Sequence, residues 1–195
     1  VGFSGGEKKK TEILQMLTAA VAKPGAVVLA PDPSFVLYRM QAELANLRFT
    51  GVPLREDLTL DIDAMLAAIE RDRPALVWLA YPNNPTGTWF GREALLHLLE
   101  ALPESVLVVV DEAYIEFADA PGLRSALDLC TRFPNLIVTR TFSKAYGLAG
   151  VRVGYAVAHP DVIALMERVR ESFNVSSLGL AAALAASGDE AHLAW

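Results

Sequence analysis

Five short segments of the chain are almost entirely apolar, and a sixth is a weaker example of the same pattern. They cover residues 26–30, 49–52, 76–80, 106–110, 136–139 and 153–157. Such segments lack the polar alternation of a strand with one solvated face, so they are typical of a parallel sheet that is covered on both sides. Segments with helical periodicity lie at residues 11–22, 35–47, 61–71, 92–102, 160–171 and 178–186, with Thr11 as the N-cap of the first. We therefore predict the α/β class, with a three-layer αβα arrangement around a mostly parallel sheet.

Composition argues against several classes of function. The 195 residues carry a net charge of −6, whereas nucleic-acid binders usually present a basic stripe. No apolar run approaches the roughly 20 residues of a membrane span, and His97, His159 and His192 lack the spacing of metal ligands. Cys130 is the single cysteine, which fits a reducing compartment, so we expect a cytoplasmic protein. We predict no membrane, nucleic-acid or metal partner.

Polar and aromatic residues follow the predicted strands. Ligands of open α/β sheets bind beyond the carboxyl ends of the strands, so these residues are the first candidates for a binding site. An aspartate directly after five apolar residues is partly desolvated and needs a cation or hydrogen-bond donors to stay ionised. In chain order, the candidates are Phe35, Asn84, Asp111, Tyr114, Thr141, Ser143, Lys144 and Arg152.

Taken singly, each candidate also has a purely structural explanation. Lys144 could be a solvated loop lysine, an anion-binding lysine or an amine that attacks a carbonyl. Asp111 could cap a helix, and Asn84 could stabilise a turn that its neighbouring prolines fix. Phe35 could belong to the core.

One ligand would use the whole set of candidates. Pyridoxal phosphate (PLP) has an aldehyde for Lys144 and a ring nitrogen for Asp111, the two protein groups that such a cofactor is expected to need. Its ring oxygen suits Asn84 and Tyr114, and its flat face suits Phe35. Its phosphate suits the two hydroxyls and the arginine of the loop after residue 139. The sequence therefore predicts a PLP site at the carboxyl edge of the sheet.

Three motifs in this order carry a family resemblance. They are Asn84-Pro85-Thr86-Gly87, Asp111-Glu112-Ala113-Tyr114, and Ser143-Lys144 followed by Gly147, Gly150, Arg152 and Gly154. With them, residues 11–186 resemble the large domain of the fold-type-I PLP-dependent aminotransferases. Within that group, residues 81–87, 111–117 and 173–177 most resemble the class-II histidinol-phosphate aminotransferases.

The resemblance implies a role for each candidate. Lys144 would hold PLP through its amine and, once released from it, act as general base and acid. Asp111 would pair with the protonated ring nitrogen, Asn84 and Tyr114 would hydrogen-bond the ring oxygen, and Lys144, Asp111 and Tyr114 would be the catalytic residues. Phe35 would stack on the ring. The phosphate would be held by Thr141, Ser143 and Arg152.

The resemblance also implies an activity and partners. The expected reaction transfers an amino group from L-histidinol phosphate to 2-oxoglutarate, giving imidazole-acetol phosphate and L-glutamate in histidine biosynthesis. Small-molecule amino donors and 2-oxo acids would be the partners, within a homodimer. Two alternatives stay open: another fold-type-I PLP enzyme, such as an aromatic aminotransferase or an amino-acid phosphate decarboxylase, and a catalytically inactive fragment.

The sequence departs from the family pattern in two places. The turn before the first large-domain helix, which holds the phosphate in the family, aligns here with Lys8-Lys9-Lys10-Thr11-Glu12, although Ser4-Gly5-Gly6 could replace it after a register shift. We also expect residues 1–195 to be a truncated large domain, without the family's C-terminal small domain and N-terminal segment. On that expectation, the isolated chain shows little or no turnover.

Overall fold

The computed structural model describes the backbone of residues 10–172 and 174–194, and side chains from residue 12 onward within those ranges. Within this part of the chain, six strands form one sheet in the order β2-β1-β3-β4-β5-β6. All neighbouring pairs are parallel except β5 and β6, which are antiparallel. The strands are β1 (Val27–Asp32), β2 (Arg48–Pro53), β3 (Leu76–Ala80), β4 (Leu107–Asp111), β5 (Leu136–Thr141) and β6 (Gly154–Ala158).

Helices cover both faces of the sheet and complete the three layers. One face carries a core with Met65 of α3 and Leu98 of α4, and the other carries a core with Leu14 of α1, Tyr38 of α2 and Met166 of α5. The α-helices are α1 (Lys10–Ala20), α2 (Leu37–Leu44), α3 (Ile62–Asp72), α4 (Arg92–Ala101), α5 (Pro160–Val169), α6 (Ser177–Ser187) and α7 (Glu190–Leu193). Short 3-10 helices lie at Ile115–Phe117, Leu127–Thr131 and Ala149–Val151. The predicted α/β class with a mostly parallel sheet is confirmed.

Side chains alternate between the two faces of the sheet along β4 and β5, and this alternation determines on which face the residues at the ends of these strands lie. Val109 and Ile137 pack in the core beneath α1, α2 and α5, whereas Val110 and Val138 pack in the core beneath α3 and α4. Two residues on from Val109 the strand reaches Asp111, which therefore lies on the α2 side. Its neighbour Glu112 lies on the opposite side.

Several predicted boundaries were wrong. We predicted that the first strand ends at residue 30, but β1 continues to Asp32 and pairs there with β2. Pro31 is tolerated because the register of β1 with β3 covers Val28 and Leu29, earlier in the strand, so the missing N–H is not needed on that side. The following helix begins at Leu37 and not at Phe35, which leaves Phe35 in the connection.

The prediction of Thr11 as an N-cap was also wrong, because α1 already includes Lys10. Asp61, predicted as the first residue of a helix, instead caps α3: its side chain accepts a hydrogen bond from the Ala64 backbone N–H at 3.0 Å. Among the described helices, none is both long and apolar enough to cross a membrane.

Candidate active site

A cleft of about 320 Å³ lies beyond the carboxyl ends of β3, β4 and β5. Its volume falls at the lower end of the range for small-molecule sites. Seven of the eight candidate residues line it, and the exception is Asp111. The lining residues are Phe35, Leu37, Asn84, Ala113, Tyr114, Thr141, Ser143, Lys144, Ala149 and Arg152.

The loop after β5 presents Lys144 to this cleft. Flanking rings anchor the loop, since Phe142 is buried and its ring centre lies 4.8 Å from that of Tyr146. A turn follows, in which the Gly147 N–H donates to the Lys144 carbonyl at 2.9 Å. The Lys144 side chain is exposed, and its Nζ lies 5.2 Å from the ring centre of Tyr114. The amine can therefore be reached by a ligand in the cleft.

Hydroxyl and guanidinium groups define one end of the cleft. Thr141 ends β5, and its Oγ1 accepts a hydrogen bond from the Ser143 backbone N–H at 3.1 Å. Arg152 follows the 3-10 helix Ala149–Val151 with a left-handed φ of 62°. Its Nη1 donates to the Ala149 carbonyl, and the other guanidinium donors make no hydrogen bond within the described part of the chain, so they are available to a ligand. The predicted contacts of Ser4-Gly5-Gly6 and Lys8-Lys9 lie outside the described residues, as do those of the Lys10 and Thr11 side chains.

Asp111 lies beneath the cleft and not in its wall. It is the last residue of β4 and only 1% exposed. The Tyr38 hydroxyl donates to Asp111 Oδ2 at 2.7 Å, and the Ala113 backbone N–H donates to Oδ1 at 3.2 Å. These donors meet part of the hydrogen-bonding requirement of a buried carboxylate.

Sequence reasoning missed Tyr38. Burial in the first place, and then the charge of Asp111, raise the pKa of Tyr38 well above its usual value, so the side chain acts as a neutral donor. The ring of Tyr38 stacks on Trp78, with centres 4.8 Å apart and planes at 6°. The sequence does show that Tyr38 lies three residues after the candidate Phe35. Nothing in the sequence indicates that Tyr38 contacts Asp111.

A buried ion pair lies on the opposite side of the sheet, and it was also missed. Glu112 is fully buried and accepts from Arg140 Nε at 2.9 Å and Nη2 at 2.8 Å. Ser125 and the Ala126 backbone N–H donate to the same carboxylate. Glu116 lies 3.7 Å from Arg140, and burial raises the pKa of Glu116. The cluster joins the segment after β4, which carries Tyr114, to β5, whose following loop carries Lys144.

Asn84 lines the cleft from a loop that Asn83 braces. The Asn83 side chain donates to the Pro33 carbonyl at 3.1 Å and to Thr86 Oγ1 at 2.8 Å, and it accepts from Ser34 at 2.8 Å. These bonds connect the loop of Asn84 to the segment that precedes Phe35. A second cleft, of about 560 Å³, adjoins the first and shares Asn84 and Tyr114 with it.

The described part of the chain contains no group of three or more His, Cys, Asp or Glu residues arranged to hold a metal ion. Cys130 is buried and free, and its burial raises the pKa of the thiol to about 11. The cleft offers a ligand an amine, hydroxyls and a guanidinium, with a buried carboxylate beneath it.

The sheet and its helices have the fold of PLP-dependent aminotransferases. The structure superposes on the histidinol-phosphate aminotransferase from Sinorhizobium meliloti in complex with pyridoxal-5'-phosphate with a TM-score of 0.91 and 35% sequence identity, over 98% of this chain and 51% of that one. The profile of the family "Aminotransferase class I and II" matches residues 8–194. The chain belongs to this family.

Curated relatives carry the same name as that structure. A histidinol-phosphate aminotransferase from Burkholderia mallei is 54% identical over 172 residues, which is 88% of this chain and 47% of that protein. One from Chromobacterium violaceum is 50% identical over 88% of this chain and 46% of its own length. The predicted family resemblance is confirmed. The chain spans about half the length of the curated relatives it matches.

Proposed function

We propose that this chain is the PLP-binding large domain of an aminotransferase that acts on L-histidinol phosphate and 2-oxoglutarate. The observation that carries the proposal is that one cleft is lined by Lys144, Phe35 and the hydroxyl and guanidinium groups at the end of β5 and in the loop after it. A reactive amine, an aromatic face and an anion-binding end are the groups that a phosphorylated aromatic aldehyde requires.

The side chains that line the cleft match the phosphate, the aldehyde and the ring face of PLP. Thr141, Ser143 and Arg152 would hold the phosphate through two hydroxyls and a guanidinium, which is suited to phosphate recognition. Lys144 would hold the aldehyde carbon through its amine. Phe35 would cover one face of the ring.

The remaining roles concern the ring's polar atoms. Asn84 and Tyr114 would donate hydrogen bonds to the ring oxygen. Asp111, beneath the cleft, would place a negative charge against the ring nitrogen and keep that nitrogen protonated. The position of Asp111 supports this role, because a carboxylate that is 1% exposed is shielded from water and interacts more strongly with a nearby cation.

Bound PLP supplies an electron sink for the electrons released at the amino donor's Cα. Lys144, whose side chain is exposed, would take a proton from Cα and return one to the adjacent carbon of the cofactor. Tyr114 lies beside that amine and would help to orient it. Asp111 would maintain the charge that makes the ring an electron acceptor.

The proposal includes a cytoplasmic homodimer. The single cysteine supports a reducing compartment. Exposed apolar side chains at Met40 and Leu44 of α2, and at Val36 directly before it, support association with a second subunit. Sedimentation of the purified chain measures the oligomeric state directly.

The test is a visible absorbance spectrum of the purified chain mixed with PLP, followed by borohydride reduction and peptide mass mapping. We expect an absorbance band and a stable adduct on Lys144, and neither in Lys144→Ala. Lys23→Ala is the matched control, because Lys23 lies at the opposite edge of the sheet, and it should leave the adduct unchanged. An adduct that persists in Lys144→Ala would contradict the assignment of the amine. Turnover with histidinol phosphate then separates an active domain from an inactive fragment.

A further inference from the structure

Tyr38 lies at the junction between two residues of the proposed cofactor site. Its hydroxyl donates to Asp111 Oδ2 at 2.7 Å, and its ring meets the ring of Phe35 edge to face, with centres 5.6 Å apart and planes at 87°. Phe35 lines the cleft and Asp111 lies beneath it. One side chain therefore contacts both the residue proposed to cover the ring and the residue proposed to meet its nitrogen.

The hydroxyl of Tyr38 is held in a fixed position. The side chain is 1% exposed and stacks on Trp78 with nearly parallel planes. A tyrosine has two side-chain torsions, and a ring packed between two others leaves little freedom in either. The hydrogen bond to Asp111 is thus imposed by the packing of α2 on the sheet and does not depend on a mobile side chain.

A neutral hydrogen-bond donor and a cation have different effects on the charge of a carboxylate. Arg140 neutralises the charge of Glu112, the next residue in the chain. The Tyr38 hydroxyl stabilises the charge of Asp111 without cancelling it. A negative charge that is stabilised but retained is what a protonated pyridine nitrogen needs from its partner.

We propose that Tyr38 is a positioning residue, whose buried hydroxyl fixes the orientation of the Asp111 carboxylate and so sets the protonation of the cofactor's ring nitrogen. The inference rests on the proposed function and deepens it by naming a residue that acts through Asp111. The hydroxyl carries the role, and the ring of Tyr38 supplies packing that phenylalanine would preserve.

The first test needs no cofactor. Urea unfolding is measured for the wild type, Tyr38→Phe, Asp111→Ala and the double variant. We expect Tyr38→Phe to lower the unfolding midpoint in the wild-type background and to have little effect once Asp111 is replaced. Tyr81→Phe is the matched control, since Tyr81 is equally buried but packs on the other face of the sheet. Equal effects of Tyr38→Phe in both backgrounds would overturn the contact on which the proposal depends.

The second test follows the ring nitrogen by NMR with ¹⁵N-labelled PLP. We expect the wild type and Tyr81→Phe to give the signal of a protonated pyridine, and Tyr38→Phe to shift toward that of the unprotonated ring. Without the hydroxyl, the carboxylate can turn away and its charge is less favoured in a buried position. The dissociation constant of PLP should also rise, because Asp111 would no longer be held in one orientation toward the ring nitrogen.

The outcomes separate this inference from the proposed function. A wild-type chain that carries PLP on Lys144, together with identical ¹⁵N shifts in wild type and Tyr38→Phe, would overturn the inference and leave the function intact. A wild-type chain that binds no PLP would overturn both.

If Tyr38→Phe does not fold, ¹³C NMR of labelled tyrosine in the wild type and in Asp111→Ala tests the contact instead. Tyr38 should ionise at a lower pH in Asp111→Ala than in the wild type. Equal values in the two proteins would overturn the inference.

Discussion

The amine of Lys144 and the ring of Tyr114 lie 5.2 Å apart, nitrogen to ring centre, although they come from loops that follow different strands. This distance is within the range of a cation–π contact. On the other side of the sheet, the segment that carries Tyr114 is also fixed to β5, because Arg140 of β5 binds Glu112 and approaches Glu116. The position of the amine is therefore defined by contacts both within the cleft and beneath it.

Tyr114 contributes through its ring and its hydroxyl, and two substitutions separate them. Tyr114→Phe keeps the ring beside Lys144 and removes the hydroxyl, so the affinity for PLP should fall about tenfold, the usual effect of one hydrogen bond to a charged group. Tyr114→Leu removes both, and its affinity should be lower still. Absorbance titration with PLP measures each value. Wild-type affinity in Tyr114→Phe would show that the hydroxyl makes no contact with the cofactor.

Gly179 in α6 provides a test of the turn that carries Arg152. A Cβ atom at this position would lie 3.0 Å from Ser176 Oγ and 3.1 Å from Val153 Cγ2, too close without movement of Val153. We expect Gly179→Ala to cost about 1–3 kcal/mol in the free energy of unfolding, as overpacking does, and to weaken PLP binding. The measurements are urea unfolding and PLP titration.

The control for that substitution is Gly150→Ala. Gly150 belongs to the 3-10 helix that precedes Arg152, and a Cβ atom there has open space around it. Its stability and affinity should stay close to those of the wild type. If both alanine variants bind PLP equally well, the packing of α6 does not influence the end of the cleft that is proposed to hold the phosphate.

The buried pair of Glu112 and Arg140 should be essential to folding. Arg140→Met leaves a fully buried carboxylate without its cation, and such changes typically cost about 3–5 kcal/mol. The exposed pair of Arg132 and Glu100 offers the comparison, because Arg132→Met should cost less than about 1 kcal/mol. Urea unfolding measures both. The double variant Glu112→Gln/Arg140→Met should recover part of the stability that Arg140→Met loses. Equal stability of Arg140→Met and Arg132→Met would show that the buried pair matters no more than the exposed one.

Cys130 should react slowly with alkylating reagents in the folded chain. Its pKa of about 11 means that the thiolate is scarce near pH 8, so alkylation should be roughly a hundredfold slower than for a free thiol of ordinary pKa. The rate should rise as the pH approaches 11. Because the folded state favours the neutral thiol, the unfolded state ionises first, and stability from this group is lost as the pH rises from about 8.5 toward 11.

Mass spectrometry with iodoacetamide measures the alkylation rate. Chain unfolded in urea is the control, and it should react at the rate of an ordinary thiol. Equal rates for folded and unfolded chain would mean that burial does not protect Cys130.

Local patterns allowed the fold and most of the cleft to be predicted. The apolar segment at residues 76–80 matched β3 fully, because a strand buried on both faces has no other composition. The candidates that line the cleft were found because parallel strands bring their carboxyl ends to one edge of the sheet. That rule needs only the order of the strands and the residue after each one.

The partners of the buried carboxylates could not be predicted in the same way. Tyr38 meets Asp111 across 73 positions of sequence, and Arg140 meets Glu112 across 28. Such contacts depend on which helix packs over which strand, and local periodicity does not contain that information. The end of β1 and the start of α2 were misplaced for a related reason. Pairing with β2 extends β1 beyond its apolar residues to Asp32, and the helix then begins only at Leu37.

Because side chains alternate between the two faces of the sheet, two adjacent acidic residues at the end of β4 lie on opposite faces. Asp111 faces Tyr38 and the cleft, whereas Glu112 faces Arg140 and the other core. A slip of one residue in the pairing of β4 would exchange them, placing the glutamate beneath the cleft and leaving the aspartate to meet the arginine. Errors of register in this strand would therefore disturb both the two cores and the proposed site, so a chain that pairs β4 correctly has also placed the carboxylate of the proposed site.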